Sequence, residues 1–128
     1  MELKKGTGTI LVVDDEAMVK DLARDILKRY GYTVITAGGG AEAVSVYRER
    51  GPEIAAVLLD ILMPDVDGKE AFRVIREINP EAKIVVSSGY NQERDARALL
   101  ELGAKGFVQK PYRIAELVKV VGDVLEQN

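Results

Sequence analysis

Apolar residues in this chain fall into two kinds of run that alternate from one end to the other. Short runs at 9–13 (Thr9-Ile10-Leu11-Val12-Val13), 32–37, 56–59, 82–87 and 106–109 are too brief for helices and predict strands. Ala56-Val57-Leu58-Leu59 is apolar without alternation, so both of its faces must be covered. Between the runs, apolar residues recur at intervals of three and four. Val19, Leu22, Ala23, Ile26, Leu27 and Tyr30 mark a helix over 17–30, and Ala43, Val44 and Tyr47 one over 41–50. Phe72, Ile75 and Ile78 mark 69–78, Ala96, Leu99 and Leu100 mark about 92–102, and Leu117, Val121, Val124 and Leu125 mark about 114–126. Gly31, Gly51-Pro52 and Asn79-Pro80 stand where the first three helices must stop.

Five strand-then-helix repeats with short connections call for right-handed crossovers, hence an α/β fold with a parallel sheet layered between helices. Residues 9–128 form one domain in this reading. Residues 1–8 carry Lys and Gly without a period and read as a linker or flexible N-terminus. At 128 residues and 47% hydrophobic, the chain can build one core. Cysteine is absent, which excludes disulfides, zinc-thiolate sites and thiol nucleophiles and fits a reducing cytoplasm. Histidine is absent too, so any chemistry must rest on carboxylates, hydroxyls or lysines. A net charge of −3 with interspersed signs gives no footprint for nucleic acid or anionic lipid. No apolar run approaches the ~20 residues of a membrane helix, so no membrane contact is expected of this domain.

The polar residues at the strand ends change the picture most. Asp14 and Asp15 follow the first strand, Asp60 the third, Ser88 the fourth and Lys110 the fifth. Parallel strands share one C-terminal edge, where open α/β sheets bind their ligands. Three carboxylates gathered there repel one another, raising at least one pKa unless a hard cation lies among them, and Mg2+ suits such an oxygen site. With charge neutralised, a carboxylate can attack a phosphoryl group and form an aspartyl phosphate, met by Lys110 through charge and by Ser88 through its hydroxyl. Singly, each residue has a plainer reading. Asp14-Asp15-Glu16 can cap the first helix, Asp60 can open a turn, Lys110 can be solvated, Phe107 can be core and Ser88 a turn residue. Their convergence on one edge argues for a site. Asp65-Val66-Asp67-Gly68 is no calcium loop, because Met63 and Val74 stand where ligands are needed.

Four motifs occur in order: Val12-Val13-Asp14-Asp15-Glu16, Leu59-Asp60-Ile61-Leu62-Met63-Pro64 with Asp67-Gly68, Ser87-Ser88-Gly89, and Phe107-Val108-Gln109-Lys110-Pro111. Over about 9–127 the chain resembles the receiver domains of two-component response regulators. The resemblance implies a flavodoxin-like (βα)5 doubly wound sheet of strand order 2-1-3-4-5. It implies that Asp60 accepts phosphate from a histidine kinase or phosphotransfer domain. It gives Asp15, Asp60 and the Leu62 carbonyl to Mg2+, with Asp14 helping through water, and Lys110 to the phosphoryl group. Ser88 and Phe107 correspond to the family's switch pair, which alters the surface of the fourth helix, fifth strand and last helix for a downstream protein or a second copy. A cis Lys110-Pro111 bond is implied as well. In this family the side chains two positions after the phosphoacceptor and two after the switch hydroxyl lie over the approach of hydrolytic water. Here they are Leu62 and Tyr90, which hold no water, so slow self-dephosphorylation is expected.

Three rival readings have discriminating features. A phosphatase of the haloacid dehalogenase type places its aspartate nucleophile on strand one, with an acid two residues on, and Glu16 fills that second place. A flavodoxin-like nucleotide binder needs hydroxyls and amides in its first loop, where Asp14-Asp15-Glu16 would repel phosphate. A degenerate receiver that only docks would lack part of the site. No free-substrate activity is expected beyond the domain's own phosphorylation and dephosphorylation. The lead-in at 6–16, the Ser-Ser-Gly-Tyr run and Gln109-Lys110-Pro111-Tyr112 resemble receivers at the C-terminus of hybrid sensor histidine kinases, the expected source.

Overall fold

A computed structural model describes residues 5–63, 67–89 and 92–127. Within them strands and helices alternate: β1 (Thr9–Val13), α1 (Ala17–Arg29), β2 (Thr33–Ala37), α2 (Gly40–Arg50), β3 (Ile54–Asp60), α3 (Gly68–Ile78), β4 (Ile84–Ser88), α4 (Glu93–Glu101), β5 (Gly106–Gln109) and α5 (Ile114–Glu126). All strand pairs are parallel and the order is β2-β1-β3-β4-β5. The α/β class and the 2-1-3-4-5 order expected of the resemblance are therefore both present.

The alternation of side chains along each strand divides the core in two. Leu11, Val57, Leu59, Ile84 and Val86 face α2, α3 and α4, where Ala43, Tyr47, Phe72, Ile75 and Leu99 meet them. Ile10, Val12, Leu58 and Val85 face α1 and α5, against Ala23, Leu27, Leu117 and Val121. The central β1 and β3 are buried on both faces, as their unbroken apolar runs require.

Element boundaries shift from the expected ones for identifiable reasons. Tyr32 stays outside β2 because its N–H donates to Leu27 O, and Gly31 N–H donates to Lys28 O. Together these bonds close α1 in a Schellman motif, with Gly31 at φ +102° in the left-handed region that favours glycine. Ala82 stays outside β4 because its N–H closes a turn onto Asn79 O. Leu22, Ile78 and Leu100, expected to face inward, are 46%, 37% and 40% exposed. Each lies at the rim of its helix's apolar stripe rather than at its centre, so the sheet does not cover it. At the N-terminus, Gly6 N–H donates to Tyr30 O and Gly8 O accepts from Thr33 N–H, joining this segment to the domain's edge.

Candidate functional site

At the C-terminal edge of the sheet the chain leaves β1, β3, β4 and β5 with polar side chains, of which Asp14, Asp60 and Ser88 are buried. Asp14 is 1% exposed and Asp60 3%. Asp14 Oδ1 accepts the Glu16 N–H at 2.9 Å, so this acid does shape the turn into α1, yet no side chain caps the helix at Glu16. Its second oxygen turns inward, 2.7 Å from Lys110 Nζ. The same ammonium lies 3.2 Å from Asp60 Oδ1. Lys110 is held in turn by its own backbone, whose N–H donates to Ser88 O at 2.8 Å, and the Lys110-Pro111 bond is cis.

Gly68 lets the chain close over this edge. Its N–H donates to Ile61 O at 2.7 Å, and a Cβ at this position would run into the Asp60 carbonyl and Ile61 backbone. Asp67 caps α3 by accepting the Glu70 N–H at 2.9 Å, a structural use of that acid.

The electrostatics follow from burial. Desolvation pushes the Asp60 carboxyl up from 3.8 to about 6; Lys110 opposes this rise, the Asp14 charge adds to it, and the Leu62 backbone N–H opposes it weakly. Burial works against the Lys110 ammonium, but its hydrogen bond to Asp14 and the charges of Asp60 and Asp14 outweigh this and raise its pKa. Asp15 completes the cluster from an exposed position. Asp14, Asp15 and Asp60 can each offer one carboxylate oxygen, all within 4.8 Å of one another. Such a hard-oxygen set, three carboxylates beside a single ammonium, fits Mg2+.

Ser88 is fully buried, and its Oγ has no hydrogen-bond partner among the described residues, an uncommon state for a buried hydroxyl. Phe107 is partly buried against the core beneath α2, α3 and α4. Leu62 projects into solvent at 66% exposure. Tyr90 lies outside the described residues. The structure thus gathers Asp14, Asp15, Asp60 and Lys110 in one cluster and leaves Ser88 poised at the neighbouring strand end. It adds a pair the pattern analysis missed: Ser87 Oγ and Tyr112 OH share a buried hydrogen bond of 2.7 Å. Burial drives the Tyr112 pKa well above the ordinary tyrosine value, so the phenol stays protonated. A hydroxyl inside an apolar strand was the available signal, since such a group needs a partner.

Residues 10–122 match the response regulator receiver domain family. The chain is 37% identical to the chemotaxis protein CheY of Thermotoga maritima, over 90% of this chain and 95% of that one. It is 35% identical to the sensor kinase CckA of Brucella abortus over 96% of its own length, but spans only 13% of that kinase. A solved complex of CheX, CheY, BeF3 and Mg2+ from Borrelia burgdorferi superposes with a TM-score of 0.88 at 32% identity, covering 94% of this chain and 90% of that one. Sequence, fold and edge cluster agree: this chain belongs to the response regulator receiver domains of two-component signal transduction.

Proposed function

We propose that Asp60 is the phosphoacceptor of this receiver domain and that Lys110, Ser88 and the acidic cluster are its machinery. The observation that carries the reading is the Lys110 ammonium, buried between the Asp14 and Asp60 carboxylates at 2.7 and 3.2 Å. Above about pH 6 the Asp60 carboxylate is free to attack as an anion. It bonds to phosphorus as the donor's P–N bond to a phosphohistidine breaks, and the departing imidazole takes up a proton. Lys110 then stands beside the new phosphoryl oxygens and balances their charge. Ser88 Oγ, without a partner among the described residues, is available to donate to one of them. Mg2+, held by Asp14, Asp15, Asp60 and the Leu62 carbonyl, would supply charge neutralisation at the phosphoryl oxygens. The solved relative that carries BeF3 and Mg2+ supports this assignment.

Motion of Ser88 toward the phosphoryl group would open space for Phe107 to turn inward, altering the α4-β5-α5 surface offered to a downstream protein or a second copy. Receiver domains work with histidine kinases or phosphotransfer proteins. Exposed Met18 at the start of α1, Leu62 beyond β3 and Ile114 at the start of α5 ring the same edge and suit docking of such a partner. The likeness to the sensor kinase CckA is in keeping with a sensor kinase as the parent protein, and the absence of cysteine with a cytoplasmic setting. Among the described residues no helix is long and apolar enough to cross a membrane. Neither the haloacid dehalogenase reading nor the docking-only reading is favoured: the family match is to receiver domains, and Asp60 on β3 is buried with Lys110 in place beside it. Incubation with Mg2+ and acetyl phosphate, followed by intact-mass measurement, should add one phosphoryl group to wild type and none to Asp60→Asn. An equal gain in both would overturn the assignment.

A further inference from the structure

β4 ends in two serines that point to opposite faces of the sheet. Ile84 and Val86 face the α2–α4 core and Val85 the α1–α5 core, so alternation sends Ser88 to the first and Ser87 to the second. Ser87 is the register partner of Asp60 and accepts the Ile61 N–H on its carbonyl at 3.0 Å. Its Oγ meets Tyr112 OH at 2.7 Å, with the two residues 0% and 8% exposed. Tyr112 is two residues beyond Lys110. The β4–β5 ladder closes with Lys110 N–H on Ser88 O, and the Tyr112 hydroxyl then ties the departing loop to the strand position beside Asp60.

From this geometry we infer that the Ser87–Tyr112 hydroxyl pair is a positioning device for Lys110, fixing the loop two residues beyond it so that its ammonium is held against Asp60. A lysine carries many rotamers and reaches its target only if its backbone is set correctly. Here the backbone is fixed at Lys110 by a main-chain bond and again at Tyr112 by a side-chain bond, and both anchors lie on β4. Neither hydroxyl touches the reacting atoms. Their effect passes through Lys110, so the inference rests on the phosphoacceptor reading above.

Phosphorylation by acetyl phosphate with Mg2+ should be timed by intact mass for wild type, Tyr112→Phe, Ser87→Ala, the double variant and Ile75→Val. Ile75 is buried in the opposite core and serves as a control for lost packing alone. Tyr112→Phe and Ser87→Ala should each slow the reaction about three- to tenfold, since small misplacements of a charged group are costly. The double variant should be no slower than the slower single, because both changes delete one shared bond. Ile75→Val should react at the wild-type rate. The two Lys110 Hε resonances should be distinct in wild type and should merge in Tyr112→Phe as the side chain loosens. A Tyr112→Phe protein that is as fast as wild type, or slowed only as much as Ile75→Val, or that keeps distinct Hε resonances, overturns the positioning role while leaving Asp60 as phosphoacceptor. A wild type that gains no phosphoryl group overturns both.

Discussion

Replacing Asp60 by Asn should make the protein more stable at neutral pH, at the expense of its chemistry. The carboxylate is 3% exposed, and burial raises its pKa from 3.8 to about 6. Because the folded value is raised, the native state keeps a proton that the unfolded chain has released. Stability present below about pH 4 is therefore lost as pH rises through about 6. A shift of about two units corresponds to ~3 kcal/mol carried as a penalty at pH 7.5. The net shift already contains the opposing Lys110 contact, and solvent reaching the site through exposed Asp15 reduces the expected gain to about 1–2 kcal/mol. With a urea dependence of about 2 kcal/mol/M for a domain of this size, the Asp60→Asn midpoint should rise by about 0.5–1 M at pH 7.5 in EDTA. At pH 4 the two proteins should unfold within about 0.2 M of each other, because the wild-type carboxyl is then protonated in the native state. An Asn variant less stable than wild type at pH 7.5, or equally stabilised at both pH values, would refute the reasoning.

Mg2+ at about ten times its dissociation constant should raise wild-type stability by about 1.4 kcal/mol and leave an Asp15→Asn/Asp60→Asn protein almost unchanged; equal gains in urea midpoint would count against the acidic cluster as the metal site. Beryllofluoride with Mg2+ should shift amide resonances across α4, β5 and α5, and shifts confined to α1 and α2 would remove Ser88 and Phe107 as the switch. Leu62→Asn should shorten the phosphoryl lifetime about three- to tenfold by giving water an amide to orient against, with Tyr90→Glu acting the same way. Decay no faster than wild type in the combined variant would show that these positions do not set the rate.

Much of this architecture is written in short-range pattern. Ala56-Val57-Leu58-Leu59 could only be a strand buried on both faces, and the spacing of Ala23, Ile26 and Leu27 could only be a helix lying on it. Parallel strands then bring Asp14, Asp60 and Lys110 to one edge whatever their order, which is why their convergence is legible in the sequence. The order itself was not: nothing in local periodicity says that β1 lies between β2 and β3, and that expectation came with the family resemblance. Leu22, Ile78 and Leu100 were misplaced because periodicity gives a stripe's direction, not the width that the sheet will cover. Ser87 and Tyr112 escaped notice for another reason. Their bond joins residues 25 apart and depends on which of two adjacent serines faces α5, a question of register that the sequence leaves open.

The central claim is that Asp60, and no other acid of the cluster, forms the acyl phosphate. Borohydride reduces an acyl phosphate to an alcohol, so a phosphorylated aspartate becomes homoserine, and peptide mass mapping reads its position. After acetyl phosphate and Mg2+, homoserine should be found at residue 60 alone. Homoserine at Asp14 or Asp15, or an unmodified Asp60 in protein whose intact mass shows phosphorylation, would contradict the account.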